Sequence, residues 1–374
     1  MCPRGAQVLP YARRLGDGAA GEWALERDRR PDALDLTSTN PSAHGLTSPQ
    51  VGECLARAAR RGAYQPDPRG PLAAREALAA RFGRSPDRYW LTASTSEAYA
   101  WLFQLLTVPG EAVAAPQPGY PLIEPLARLA GVGVRDYWYH YLDHDGWVLD
   151  AATLDPRGPV RAVVAVNPGN PTGCWAPLDG IGQRALSAGA ALVVDQVFQP
   201  FALDAEAPAG TSPPEECLVF TLDGVSKRLA APGVKLGWIA LDAPPETAAL
   251  VAPALDRVAD CYLSASQAAA EALPDLLGLE EQTVTRVRER TRGNLAELRR
   301  RWPGRVRRAE AGWTAVADAP APEPGLAVRL LREAGLAVHP GWFYGVPGDK
   351  ALVLSLLPAP AEFAAGLDAL AAAL

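Results

Sequence analysis

The chain has 374 residues, more than one hydrophobic core usually supports, so two domains are expected. With 48% hydrophobic and 21% charged residues it can bury a large core, which excludes a disordered chain or a coiled coil. A net charge of −6 argues against a nucleic-acid partner, which calls for a basic face, and points to a small molecule instead.

Along the chain, the opening MCPRGAQVLPYARRLGDG lacks an apolar h-region, and no run of 18 apolar residues follows anywhere. A cytoplasmic protein with no membrane span is expected. The first 34 residues have no sequence partner of their own and are expected to pack on the C-terminal unit. Cys2, Cys54, Cys174, Cys217 and Cys261 are odd in number and scattered, without CxxC spacing, so they read as buried small apolar residues rather than disulfides or zinc ligands. Of His44, His140, His144 and His339, only HYLDH brings two close, and that stretch reads as a loop; no metal site is expected.

LTASTSEAYAWLFQLL (91–106) sets Ser94, Thr95 and Ser96 ahead of a helix whose Ala98, Trp101, Leu102 and Leu105 share one face. Hydroxyls at a helix start either cap it, here with Glu97, or help its N–H groups bind an anion. Three β-branched runs follow, RAVVAV (161–166), ALVV (191–194) and CLVFTL (217–222), separated by helical patterns as parallel strands are. Each passes at once into polar residues: NPGNPTG, DQ and DGVSK. Ligands of open α/β sheets bind beyond the carboxyl ends of the strands, so these tails should converge on one crevice.

The third tail holds Lys227. Lysine occurs only there and at Lys235 and Lys350, so 33 of the 36 basic residues are arginine. Such a skew converts lysines to arginine wherever only charge matters. A retained lysine is either accidental or sits where an amine must lose its proton and attack a carbonyl, which arginine cannot do. Farther on, residues 280–302 read as one long charged helix leading to a smaller α+β unit. That unit comprises strand-like AGWTAVAD (311–318), a helix near 325–335, strand-like ALVLSLL (351–357) and a last helix at 361–374.

These motifs, from about Tyr64 to Ser355, resemble those of fold-type I pyridoxal phosphate (PLP) enzymes, the aspartate aminotransferase superfamily. SKRLAAPGVKLGW resembles its Ser-Lys-(x)n-Pro-Gly-Leu-Arg-x-Gly-Trp block, and VNPGNPTG resembles its Asn-Pro-x-Asn-Pro-Thr-Gly block. The resemblance implies an α/β fold: a large PLP-binding domain (35–275) with a mostly parallel sheet flanked by helices, and a small C-terminal domain (276–374) on which 1–34 pack. It implies Lys227 as the Schiff-base lysine with Ser226 beside it, Asp195 as the carboxylate at the pyridine nitrogen, and Asn170 at the ring hydroxyl. Thr95 and Ser96 would hold the phosphate, Lys235 would stand where the family has a phosphate-binding arginine, and Tyr120 would stack on the ring. Tyr64 would reach the phosphate of the neighbouring subunit, which makes the active unit a homodimer.

Three positions depart from the pattern. Phe198 stands where a tyrosine is common, Gly224 replaces a serine at the phosphate, and Val353 occupies the place of the carboxylate-binding arginine. Lys350 is a candidate replacement for that arginine, and Thr39, Asn40 and Trp342 are candidates for the substrate pocket by family position. The resemblance thus implies an aminotransferase working between an amino acid, or related amine, and a keto acid. A PLP-dependent lyase, decarboxylase or cyclase is the alternative, and a catalytically silent binding protein is the third reading.

Overall fold

The computed structural model describes residues 21–60, 64–204, 208 and 212–374. Cys2 and the N-terminal stretch 1–20 lie outside them. After a helix Glu22–Arg29 comes a two-residue strand β1 (Leu34–Asp35), and then the eight strands of the main sheet. These are β2 (Tyr89–Thr92), β3 (Ala112–Gln117), β4 (Gly133–Leu142), β5 (Gly146–Leu149), β6 (Val160–Val166), β7 (Ala191–Asp195), β8 (Val219–Gly224) and β9 (Gly237–Asp242). Their order across the sheet is β2-β9-β8-β7-β6-β3-β4-β5, parallel throughout except where β9 and β5 run against their neighbours.

Helices cover both faces, which is why β6 and β7 read as unbroken apolar runs rather than alternating ones. Val164, Val193 and Phe220 pack toward the helix Thr95–Leu106, on Trp101, Leu102 and Phe103. Val163, Leu192 and Val194 pack on the other side, on Leu178 and Ile181 of the helix Leu178–Ser187.

A smaller sheet is built from β10 (Thr314–Asp318), β12 (His339–Pro340) and β13 (Ala351–Ser355), in the antiparallel order β10-β13-β12. Beside it, β11 (Leu336–Ala337) pairs in parallel with β1. The N-terminal helix lies against Leu326–Ala334, with Arg332 Nη2 3.1 Å from Glu26 Oε2 and Arg30 Nη1 donating to Arg332 O at 2.8 Å. Val316 and Val353 extend from the small sheet into the apolar layer beneath the main one, so the two cores touch.

The long helix Glu280–Arg301 ties both parts together. At its far end Asn294 Nδ2 donates to Leu356 O and Pro358 O at 2.9 and 2.8 Å. At its start Glu280 accepts from Arg228 Nη1 at 2.5 Å and from two nitrogens of Arg81 at 2.9 Å, while Arg228 also pairs with Asp223 at the end of β8. All of Asp223, Arg228 and Glu280 are buried. This ion chain fixes the short turn of helix that carries residue 227.

Two sequence readings need correction here. HYLDH is half strand: His140, Tyr141 and Leu142 belong to β4 and pair with β5, and His140 Nε2 faces Asp150 at 3.4 Å. The reason is the alternation of Tyr137, Tyr139 and Tyr141, which packs Tyr137 and Tyr139 inward and sets Tyr141 edge-on against Trp147. Cys261 is exposed at the end of the helix Pro245–Asp260, whereas Cys54, Cys174 and Cys217 are buried.

Candidate active site

The register of the central strands aligns their carboxyl ends, with Val166 beside Asp195 and Asp195 beside Leu222. Beyond these ends a cavity of about 110 Å³ opens, floored by Val166, Asp195 and Gly224 and closed on one side by Thr95 and Ser96. Asn170, Phe198, Ser226 and Lys227 line it, Tyr120 stands at its edge 44% exposed, and Thr39 completes the rim. The structure thus brings together eight of the ten sequence-predicted cofactor residues. Tyr64 and Lys235 do not line it: both are exposed, and Tyr64 borders a separate depression with Leu263 and Gln267.

Asp195 is the buried acid of the site. Its Oδ1 accepts from Val197 N–H and its Oδ2 from the Tyr99 hydroxyl, both at 3.1 Å. Burial pushes its carboxyl up to about 6, while these two donors hold it back; the Asp223 charge raises it further and the Lys227 charge lowers it. Burial likewise lowers the Lys227 amine, against the pull of Asp195, so more of it is free of its proton at neutral pH than of an ordinary lysine. The amine lies over two aromatic rings, 5.1 Å from the centroid of Trp313 and 5.7 Å from that of Phe198. Those rings meet edge to face at 5.5 Å. The Tyr120 phenol is raised by burial and then by the Asp195 charge.

Ser94 caps the helix Thr95–Leu106 by accepting from Glu97 N–H at 3.1 Å. That leaves Thr95 and Ser96 lining the cavity at the positive end of a three-turn helix, where N–H groups and hydroxyls suit an anion. Gly224 has a physical reason. A Cβ there would lie 3.0 Å from Gly237 Cα and 3.0 Å from Leu236 O, because β8 and β9 approach closely at this point. Asn170 Oδ1 sits 3.5 Å from Thr314 Oγ1 of the small sheet.

The candidates for the substrate side scatter. Val353 is buried between Val316 and His339 in the strand register. Lys350, suggested as a replacement cation, points elsewhere: its Nζ is 3.7 Å from Asp318 Oδ2 and it does not line the cavity. Asn40 is exposed, and Trp342 is 62% exposed over a different depression.

Tyr99 and Trp313 escaped the sequence reading. The signal for Tyr99 was its spacing, four residues after Thr95 and three after Ser96, which places it on the cavity side of the same helix. Trp313 gave none, since it arrives from 86 positions beyond Lys227.

The donor set fits PLP: a buried carboxylate for a cationic ring nitrogen, hydroxyls and N–H groups at a helix start for a phosphate, and an amine of lowered basicity for an aldehyde. Comparison with known proteins agrees. Nicotianamine aminotransferase 1 of Oryza sativa is 29% identical over 244 residues, a match spanning 59% of this chain and 48% of that protein, about half its length. Alanine aminotransferase of Mycobacterium tuberculosis is 28% identical over 344 residues, 87% of this chain and 75% of its own. A double mutant of Thermus thermophilus aspartate aminotransferase shares the fold with a TM-score of 0.85 at 23% identity, covering 98% of this chain and all of the other. The profile of the family "Aminotransferase class I and II" matches residues 31–350, and the chain therefore belongs to this family of PLP-dependent enzymes.

Proposed function

We propose that the chain is an aminotransferase that moves an amino group between an amino acid, or related amine, and a keto acid. One observation carries the reading: Lys227 and Asp195 meet in one cavity beside the Thr95 and Ser96 hydroxyls. Bound PLP supplies an aldehyde for the Lys227 amine and a ring that accepts an electron pair from the substrate. Asp195 would stabilise a protonated ring nitrogen as its anionic partner, and the Tyr99 and Val197 donors favour that anion. Thr95 and Ser96 would hold the phosphate, Asn170 would meet the ring hydroxyl, and Tyr120 and Phe198 would offer aromatic surface, with Ser226 beside Lys227. Lys227 Nζ takes up and returns the proton at the substrate α-carbon.

The relatives named for alanine and nicotianamine support an amino-acid substrate. A lyase, decarboxylase or cyclase is the second reading, favoured by one observation: neither Val353 nor Lys350 offers a charge to a substrate carboxylate. We further propose a cytoplasmic homodimer in which the exposed Tyr64 reaches the partner's site.

The purified chain given PLP should develop a visible absorbance band that borohydride abolishes; a chain that never colours sinks both readings. An amino-acid panel with and without a keto-acid acceptor then decides between them. Amino transfer to the acceptor marks the first, and release of CO₂, ammonia or a side chain without an acceptor marks the second. Sedimentation tests the dimer, and cell fractionation tests the compartment.

A further inference from the structure

We propose that Tyr99 is the positioning residue of Asp195: its phenol fixes the orientation of the carboxylate and holds it as the anion facing the cavity. The two oxygens of Asp195 have different kinds of partner. Val197 N–H reaches Oδ1 from two residues along the same loop, a local bond that any turn at this point provides. Oδ2 is held by the Tyr99 hydroxyl, which comes from another element altogether. Tyr99 lies one turn after Thr95 and Ser96 on the helix Thr95–Leu106, so one rigid helix presents hydroxyls to one end of the cavity and a phenol to the acid at its floor.

The phenol is not free to choose another role. Its ring is buried in the apolar layer against Phe103, at 5.8 Å, where packing alone would be met equally well by phenylalanine. Burial, then the Asp195 charge, holds the phenol protonated far above neutrality, so the bond has one direction: Tyr99 donates. The other ionisable groups facing Asp195 are Tyr120 after β3, Asp223 on β8 and Lys227 on the turn after β8. Of these only Lys227 is a cation, and its charge is diminished by its own burial. A charge-assisted bond from Tyr99 is therefore the main side-chain support for the anion.

The use of this anion toward a ring nitrogen rests on the function proposed above; the hold of Tyr99 on Asp195 does not. The test is accordingly made first on the full chain freed of PLP. Difference infrared spectroscopy across a pH series, with Asp195→Asn identifying the band, reads the protonated Asp195 carboxyl. In Tyr99→Phe its midpoint should rise by roughly one to two pH units, the loss of one hydrogen bond to a charged group. Tyrosine replaced at this position by its ortho-fluorinated analogue, a stronger donor of the same shape, should move the midpoint down. That second protein also decides the matter if the phenylalanine variant folds poorly. A midpoint unchanged in both overturns the proposal, because a residue that only fills space moves neither. If the midpoints shift as expected but the chain takes up no PLP, Tyr99 keeps its place and the cofactor reading falls.

Discussion

The floor of the cavity and its rim are built on opposite terms. At the floor, Asp195 and Tyr99 are 8% and 3% exposed, every polar atom of the pair is engaged, and the residues stand at strand ends or in the first turns of helices. At the rim, Tyr120 is 44% exposed, and it and Thr39 stand outside helices and strands. Buried charge tolerates few arrangements, since each carboxylate and amine must meet a partner at short range. A rim open to water is free to vary. The floor therefore specifies a chemistry, while the rim specifies a substrate that its own residues do not yet declare.

The largest effect expected from disturbing the floor is at Lys227. Lys227→Ala removes the only lysine of the cavity and its proton transfer, and amino transfer should fall roughly 10⁴-fold in turnover assays. Loss of less than about tenfold would mean the chemistry lies elsewhere. Next comes the ion chain behind it. Arg228→Met leaves Asp223 and Glu280 buried and facing each other without their shared cation, and should cost roughly 3–5 kcal/mol in urea unfolding. A cost within about 1 kcal/mol would show that the floor is less rigid than its burial implies.

What was legible in the sequence follows the same division. Lys227 stood out by the rarity of lysine and Asp195 by ending a buried strand, while Asn170, Thr95 and Ser96 came from the family resemblance; the topology of a parallel sheet explains why all five line one cavity. The helix Glu280–Arg301, β10 and β13 were legible as a long charged run and two strand-like apolar runs, whereas the two-residue strands β11 and β12 were too short to read. Tyr99 was hidden because the reading of its helix followed the apolar face, and a tyrosine beside that face passes for core. Trp313 was hidden because contact across 86 positions leaves no local trace. Lys350 misled for a related reason. Its place just before β13 was visible, but the pairing of Ala351 with Asp318, which puts an acid beside it, belongs to the register of two strands.

A smaller effect tests whether the floor is electrostatically strained when PLP is absent. The Asp195 carboxyl is raised from 3.8 to about 6, so the folded chain binds this proton more tightly than the unfolded one. Stability from this group is complete below pH 3.8 and is lost as pH rises to about 6, amounting to at most about 3 kcal/mol. Asp195→Asn cannot ionise and lacks that loss. Its stability, read by urea unfolding over a pH series without PLP, should therefore gain on the parent chain across this window. A parallel pair of curves would mean that Tyr99 and Val197 offset the burial completely.

The smallest effect is expected outside the cavity, at Lys350. Lys350 is 48% exposed, and its ion pair with Asp318 spans 3.7 Å of solvent-screened surface. Such pairs contribute about 0.2–1 kcal/mol at most, because two hydrated side chains gain little by meeting. Lys350→Ala should leave kcat and KM for any accepted amino acid within about twofold, and a salt titration of KM should be identical in the two proteins. A rise in KM confined to substrates bearing a carboxylate would reverse this placement: Lys350 would then leave Asp318 to meet the substrate, and the rim would be assembled by the substrate itself. The floor, held by bonds already made, offers no comparable freedom.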